Sequence, residues 1–171
     1  MKVDLRKSLF ILPNLFTLSS VLCGYYAILI LSDRATSDDF YRAALLIIFA
    51  LFFDGIDGRV ARLTKTQSAI GVQLDSLADV ISFGVAPAIL VYYWSLSELG
   101  TAGMLVGFLF VAAGAIRLAR FNVMSTSDDG QPHEPGKYTQ GLPIPAAAGI
   151  LISIVVANTL TGKLPFTPII I

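Results

Sequence analysis

Charge is what this sequence has least of. Only 14% of its 171 residues are Asp, Glu, Lys or Arg, while 55% are hydrophobic; water-soluble chains carry about 25% charged residues. A soluble protein so composed could not cover its surface with polar groups, so a bilayer is the expected solvent. The few charges cancel to a formal net charge of zero, which leaves no global basic field to draw in nucleic acid. Cysteine occurs once, as Cys23 in an apolar run, so an intramolecular disulfide is excluded and a small packing role is expected. Histidine also occurs once, as His133 in a polar stretch where solvation is expected. No internal repeat, low-complexity tract or separate soluble domain is evident, and the length suits one domain over residues 1–171.

What the chain does have is apolar runs long enough to span. A transmembrane helix needs about 20 mainly apolar residues. No charge occurs from Ser8 to Ser32, a run of 25 residues. That is longer than the apolar region of a signal peptide, and no small-residue cleavage site follows it, so a retained span over roughly 11–32 is expected. Before it, Met1 to Phe10 mixes Lys2, Arg6 and Lys7 with apolar residues, which suits a short interfacial helix. The second span begins near Phe40, passes through Ala43–Phe53 and enters Asp54-Gly55-Ile56-Asp57-Gly58-Arg59 with the helical pattern still running. A third begins near Gln73 and is uncharged from Val80 to Ser97; a fourth is uncharged from Leu99 to Ile116. After a polar loop over roughly 125–137, a fifth covers Tyr138 to Gly162, with Pro143 and Pro145 expected to bend it. Pro165 to Ile171 reads as the start of a sixth. The expected fold is all-α: a polytopic membrane bundle of five full spans and the start of a sixth, with the N-terminal interfacial helix.

Basic residues orient such a bundle, because cytoplasmic segments collect Lys and Arg. With the N-terminus inside, the inner segments carry nine (Lys2, Arg6, Lys7, Arg59, Arg62, Lys65, Arg117, Arg120, Lys137) and the outer ones three (Arg34, Arg42, Lys163). This places the junction of spans two and three at the cytoplasmic face.

That junction holds the chemistry. Four carboxylates and two arginines fall within 26 residues, and ionisable groups within a membrane are costly and usually functional. Asp54 and Asp57 are spaced i, i+3, and Asp75 and Asp79 i, i+4, so each pair shares one helix face. A short connection makes the two helices antiparallel neighbours, and all four carboxylates can meet between them. Four negative groups in low dielectric need positive compensation, and hard divalent cations such as Mg²⁺ or Mn²⁺ suit all-oxygen ligation. The lack of His or Cys in the cluster argues against zinc. Gly55, Gly58 and Gly71 beside the carboxylates allow close approach of a ligand or another backbone. Two metals bridged by carboxylates would clamp a pyrophosphate, Arg62 would add a bidentate phosphate contact, and a carboxylate not consumed by metal could act as general base.

Read as a pattern, Asp54-x2-Asp57-Gly58-x2-Ala61-Arg62-x8-Gly71-x3-Asp75-x3-Asp79 resembles the signature of the CDP-alcohol phosphatidyltransferases at every position. The flanks Leu74–Asp79, Ser82–Ala88, Arg117–Asn122 and Gly141–Ala148, with Leu12–Leu18 earlier, resemble its phosphatidylserine synthase branch. The resemblance implies a six-helix membrane enzyme, a homodimer using Mg²⁺ or Mn²⁺, two ions per site. It would move a phosphatidyl group from a CDP-linked lipid, ester or ether, to the hydroxyl of L-serine and release CMP. It further implies that Asp54, Asp57, Asp75 and Asp79 bind metal, with Asp79 also the catalytic base. Gly58, Arg62 and Ser68 would contact the CDP part, with Asn14 and Thr17 lining that pocket. For the serine carboxylate, Arg117, Arg120 and Lys137 lie on the same membrane face, where anchoring of span four is the competing role; Lys65 reads as a surface charge. Two rivals remain: a sister enzyme taking glycerol 3-phosphate or inositol, and a cation transporter, which would spread its acidic residues through the membrane depth instead of gathering them at one face.

Overall fold

Backbone N–H and C=O groups find no water in a bilayer, so an apolar chain must bond them internally, and helices do this segment by segment. The computed structural model describes residues 5–32, 34–64, 68–125 and 141–161, and every regular element among them is helical. Helix α1 is Leu5–Ile30 and α2 is Ser37–Thr64. Helix α3 is one continuous rod made of Ala69–Asp79, a π-helical stretch Val80–Val85, and Ala86–Trp94. A 3-10 turn, Leu96–Leu99, leads to α4, Thr101–Ser125, and α5 is Ile144–Thr161. Three stretches are long and apolar enough to cross a membrane: Pro13–Ile30 in α1, Ile70–Trp94 in α3 and Thr101–Met124 in α4. Helix α2 is longer than any of these stretches but carries Asp38, Asp39 and Arg42 at one end and the aspartate motif at the other. The apolar part of α5, Ile144–Leu160, is shorter. The chain is an all-α membrane protein, and each of the five full spans expected coincides with a helix.

Helix α3 begins at Ala69 and not near Gln73, and two further boundaries differ from expectation. No break separates an interfacial helix from the first span: α1 runs unbroken through Pro13. Proline lacks the N–H that would bond the carbonyl four residues back, yet it is tolerated inside membrane helices. At 26 residues, α1 is about 39 Å long. The second difference is in α5, which begins at Ile144 instead of Tyr138. Gly141 has φ +84°, a left-handed conformation that does not continue a helix. Pro143 and Pro145 therefore start α5 instead of bending it; proline is pre-set for a first turn, where no N–H is needed. The start of a sixth helix, at 165–171, lies outside the described residues.

Local chemistry accounts for the helix starts. Thr36 and Asp39 form a reciprocal capping box at the head of α2: Thr36 N donates to Asp39 Oδ2 at 2.9 Å, and Asp39 N donates to Thr36 Oγ1 at 3.3 Å. Ser68 caps α3, its Oγ accepting from Gly71 N at 3.0 Å. Inside α3, Pro87 cannot donate to the Phe83 carbonyl four residues back. The ladder widens directly upstream, where Ala86 N donates to Ile81 O, a five-residue step.

The helices close on small residues. Ala27, Ala43, Ala44, Ala50 and Ala148 are fully buried around Phe83; lipid supplies no hydrophobic drive for helix association, so close backbone approach and polar contacts must hold the bundle together. One close seam joins α1 to α3. A Cβ on Gly24 would stand 2.9 Å from Ser82 Cα, and one turn away Ser82 Oγ donates to Ser20 O at 3.1 Å. On α5, Ile144 fits a notch where Gly84 of α3 and Gly114 of α4 lack side chains. Large apolar residues such as Leu22, Phe52, Phe108 and Leu109 face outward, as lipid contact requires.

The two ends of the bundle differ. Five of the six tyrosines (Tyr25, Tyr26, Tyr41, Tyr92, Tyr93) and the sole tryptophan, Trp94, sit near the α1–α2 and α3–α4 turns. Amphipathic rings gather at membrane–water boundaries. The opposite end holds the aspartates.

Candidate active site

The aspartates arise where two antiparallel helices meet across a short connection. Asp54 and Asp57 lie ten and seven residues before the end of α2 at Thr64, and Asp75 and Asp79 on the first turns of α3. Asp54, Asp57 and Asp75 each offer a carboxylate oxygen, and these oxygens lie within 4.8 Å of one another. Asp79 stands one helical turn after Asp75 on α3. Its Oδ1 is buried and has no hydrogen-bond partner, and such an orphaned acceptor calls for a ligand. Three converging carboxylate oxygens beside a fourth carboxylate with an unused one make a donor set that suits a hard divalent ion.

Neighbouring residues frame this cluster. Asp57 is only 4% exposed, and Thr17 Oγ1 of α1 donates to its Oδ2 at 2.7 Å. At Gly55 a Cβ would meet nothing within 4 Å, and at Gly58 only Arg62 Nη2 at 3.9 Å, so this face of α2 is open for a ligand. Gly71 is the reverse case: a Cβ there would crowd Ser68 Oγ at 3.1 Å and approach Asn14 Oδ1 at 3.5 Å. Arg62 is exposed and folds back along its helix, Nε donating to Gly58 O at 2.9 Å, which leaves its terminal nitrogens free of that bond. Arg62, Gly58, Ser68, Gly71 and Asn14 thus surround the same end of the α1–α2–α3 junction.

Of the basic residues expected for the serine carboxylate, Arg117 and Arg120 are described. Arg117 is held by the loop before α5, Nη2 donating to Gly141 O at 3.1 Å, and its buried Nε has no partner. Arg120 is exposed one turn on. Among the described residues no ion pair joins either to the aspartates. Lys137, Lys65 and His133 lie outside the described residues.

Two contacts were not anticipated. One is the Thr17–Asp57 bond; the available signal was that a hydroxyl buried in an apolar span must find an acceptor. The other ties α4 to α3 beside the site: Asn122 Nδ2 donates to Ser76 Oγ at 2.7 Å, and Ser76 Oγ in turn donates to Val72 O at 3.0 Å. Nothing in the spacing points to it, because the partners are 46 residues apart.

The family model for CDP-alcohol phosphatidyltransferase matches residues 10–169. The chain belongs to this family. Among curated proteins it is similar to the CDP-diacylglycerol–serine O-phosphatidyltransferase of Helicobacter pylori, 46% identical over 150 residues that make up 88% of this chain and 59% of that protein. The enzyme of the same name from Mycobacterium tuberculosis is 36% identical over 154 residues, 90% of this chain and 51% of that protein. The archaetidylserine synthase of Methanothermobacter thermautotrophicus is 41% identical over 139 residues, 80% and 54% respectively. The chain spans between half and three-fifths of the length of these relatives. The converging carboxylates Asp54, Asp57 and Asp75 lie within the matched residues.

Proposed function

We propose that this chain is a CDP-alcohol phosphatidyltransferase of the serine-using kind: it transfers a phosphatidyl group, or its ether-lipid counterpart, from a CDP-activated lipid to the hydroxyl of L-serine, releasing CMP. The observation that carries the reading is the meeting of Asp54, Asp57 and Asp75 oxygens within 4.8 Å, beside Asp79 and under an open glycine face. The names of the relatives support serine as acceptor, and the archaeal relative supports an ether-linked donor as the second possibility.

Asp54, Asp57 and Asp75 would hold divalent metal, Mg²⁺ or Mn²⁺, with Asp79 completing a second position. Bound there, the ions supply charge neutralisation for the diphosphate and polarise the phosphorus. The protein's own residues do the rest. Gly58 leaves room for the nucleotide diphosphate against α2, Arg62 turns its free terminal nitrogens toward phosphate oxygen, and Ser68 and Asn14 border the cytidine side. Asp79 accepts the proton of the serine hydroxyl as the new serine O–P bond forms and the bond from phosphorus to the CMP oxygen breaks. Arg120, with Lys137, offers positive charge for the serine carboxylate; Arg117 is already engaged by Gly141 and shapes the loop beside it. The site stands at the cytoplasmic face of the cell membrane in a homodimer of single-domain protomers, where a bilayer-held donor meets a water-soluble acceptor.

Product analysis tests this: the purified chain in mixed micelles with CDP-lipid, Mn²⁺ or Mg²⁺, and L-serine, glycerol 3-phosphate or inositol. Serine-dependent, metal-dependent CMP release is expected. Product from glycerol 3-phosphate or inositol alone overturns the acceptor. Ion flux without CMP release would establish the transporter reading instead.

A further inference from the structure

Thr17 of α1 is one of four buried polar or charged residues in the described chain, at 4% exposure, and Asp57 beside it is another. Its hydroxyl has one proton and two acceptors in reach: the Pro13 carbonyl at 3.2 Å and Asp57 Oδ2 at 2.7 Å. The shorter contact is to the carboxylate, and hydrogen bonds to an ionised acceptor are both shorter and stronger. The proton therefore goes to Asp57. The bond joins residues 40 apart in sequence and crosses from α1 to α2, so it exists only in the assembled bundle.

We infer that Thr17 is a positioning residue for Asp57: by holding Oδ2 it fixes the carboxylate plane, so that the side chain meets Asp54 and Asp75 already oriented for a divalent cation. A carboxylate on a helix retains freedom about its terminal torsion, which is broad and roughly two-fold. One buried donor on one oxygen removes that freedom. Outer-shell partners of this kind commonly set metal affinity by 10–100-fold. The inference rests on the metal-centre reading above, and it gives Thr17 a role distinct from the nucleotide contact that family resemblance implies: with its hydroxyl committed to Asp57, Thr17 acts on the metal and not on the cytidine.

The test is Mn²⁺ titration of the full chain in detergent, followed by the electron paramagnetic resonance signal of free Mn²⁺. Thr17→Val keeps the branched shape and removes the hydroxyl; Thr17→Ser keeps the hydroxyl. Thr17→Val is expected to weaken Mn²⁺ binding about tenfold or more, Thr17→Ser to retain wild-type binding, and the KM for CDP-lipid at saturating Mn²⁺ to stay unchanged in both. If Thr17→Val does not fold, Thr17→Ala takes its place in the same titration. Wild-type Mn²⁺ binding by the hydroxyl-free variant overturns the inference. So does equal weakening in Thr17→Ser, which would mean packing, or a raised KM for CDP-lipid with unchanged Mn²⁺ binding, which would mean a nucleotide contact. Asp57→Asn separates the two levels. If it too binds Mn²⁺ like wild type, the metal-centre reading itself fails; if it loses binding while Thr17→Val keeps it, only the role of Thr17 fails.

Discussion

Asp79 differs from its three neighbours in having a buried oxygen that nothing in the protein engages. If it accepts the serine proton, Asp79→Asn should lower kcat by about 10²–10⁴-fold, the usual contribution of a positioned general base. CDP binding, measured by calorimetry, should be largely retained, and full turnover in this variant would reject the assignment. At the other end of the bundle, hydrogen bonds from the Thr36 backbone, then from its hydroxyl, hold the Asp39 carboxyl below the usual carboxylate range. A group with a depressed folded-state pKa stabilises above its unfolded value of about 3.9 and loses that contribution as pH falls through the folded value. Asp39→Ala should therefore melt below wild type at pH 7, with the gap closing in acid. At this scale the aspartates were legible because helical spacing alone puts i, i+3 and i, i+4 carboxylates on one face. Thr17 was named only as lining the CDP pocket, and its bond to Asp57 went unread, since a contact spanning 40 residues leaves no mark on local spacing. The basic residues expected for serine were the least legible: Arg117 and Arg120 are spaced to share a face, yet Arg117 is drawn off by Gly141.

Among the elements, α3 departs most from what an apolar run conveys. Its place was readable from the uncharged stretch after Asp79, but its start was not: the helix begins at Ala69 under the Ser68 cap and not near Gln73. Nor was its π-helical segment, because a widened turn changes which residues share a face without altering composition. That segment lies immediately after Asp79 and carries buried Ser82, Phe83 and Gly84; π-bulges are frequent at functional sites. The seam it makes with α1 is testable. Gly24→Ala places a Cβ 2.9 Å from Ser82 Cα, a backbone atom that cannot swing away. Overpacking of this kind costs about 1–3 kcal/mol, to be read as a lowered unfolding midpoint in detergent. The continuity of α1 was missed because charge near the N-terminus suggested an interface, whereas Pro13 fits within an unbroken membrane helix.

For the whole molecule, the all-α membrane architecture followed directly from composition and apolar run length, and the distribution of Lys and Arg is the basis of the proposed orientation. The orientation predicts a labelling pattern. Leu63, 83% exposed at the aspartate end, and Glu98, exposed in the turn before α4, should report opposite sides. In intact cells an impermeant maleimide should modify Glu98→Cys but reach Leu63→Cys only after lysis; the reverse pattern would invert the topology.

Among the described residues, tyrosine and tryptophan gather at one end of the bundle. With tyrosines and Trp94 tethering it to the distal leaflet, depth is set from there, and any extra thickness of the sheet must be taken up at the proximal end. Longer acyl chains in reconstituted vesicles would then draw the carboxylate cluster below the waterline, so turnover with a soluble alcohol should decline as chain length grows, while the same protein in thin, short-chain vesicles should run fastest.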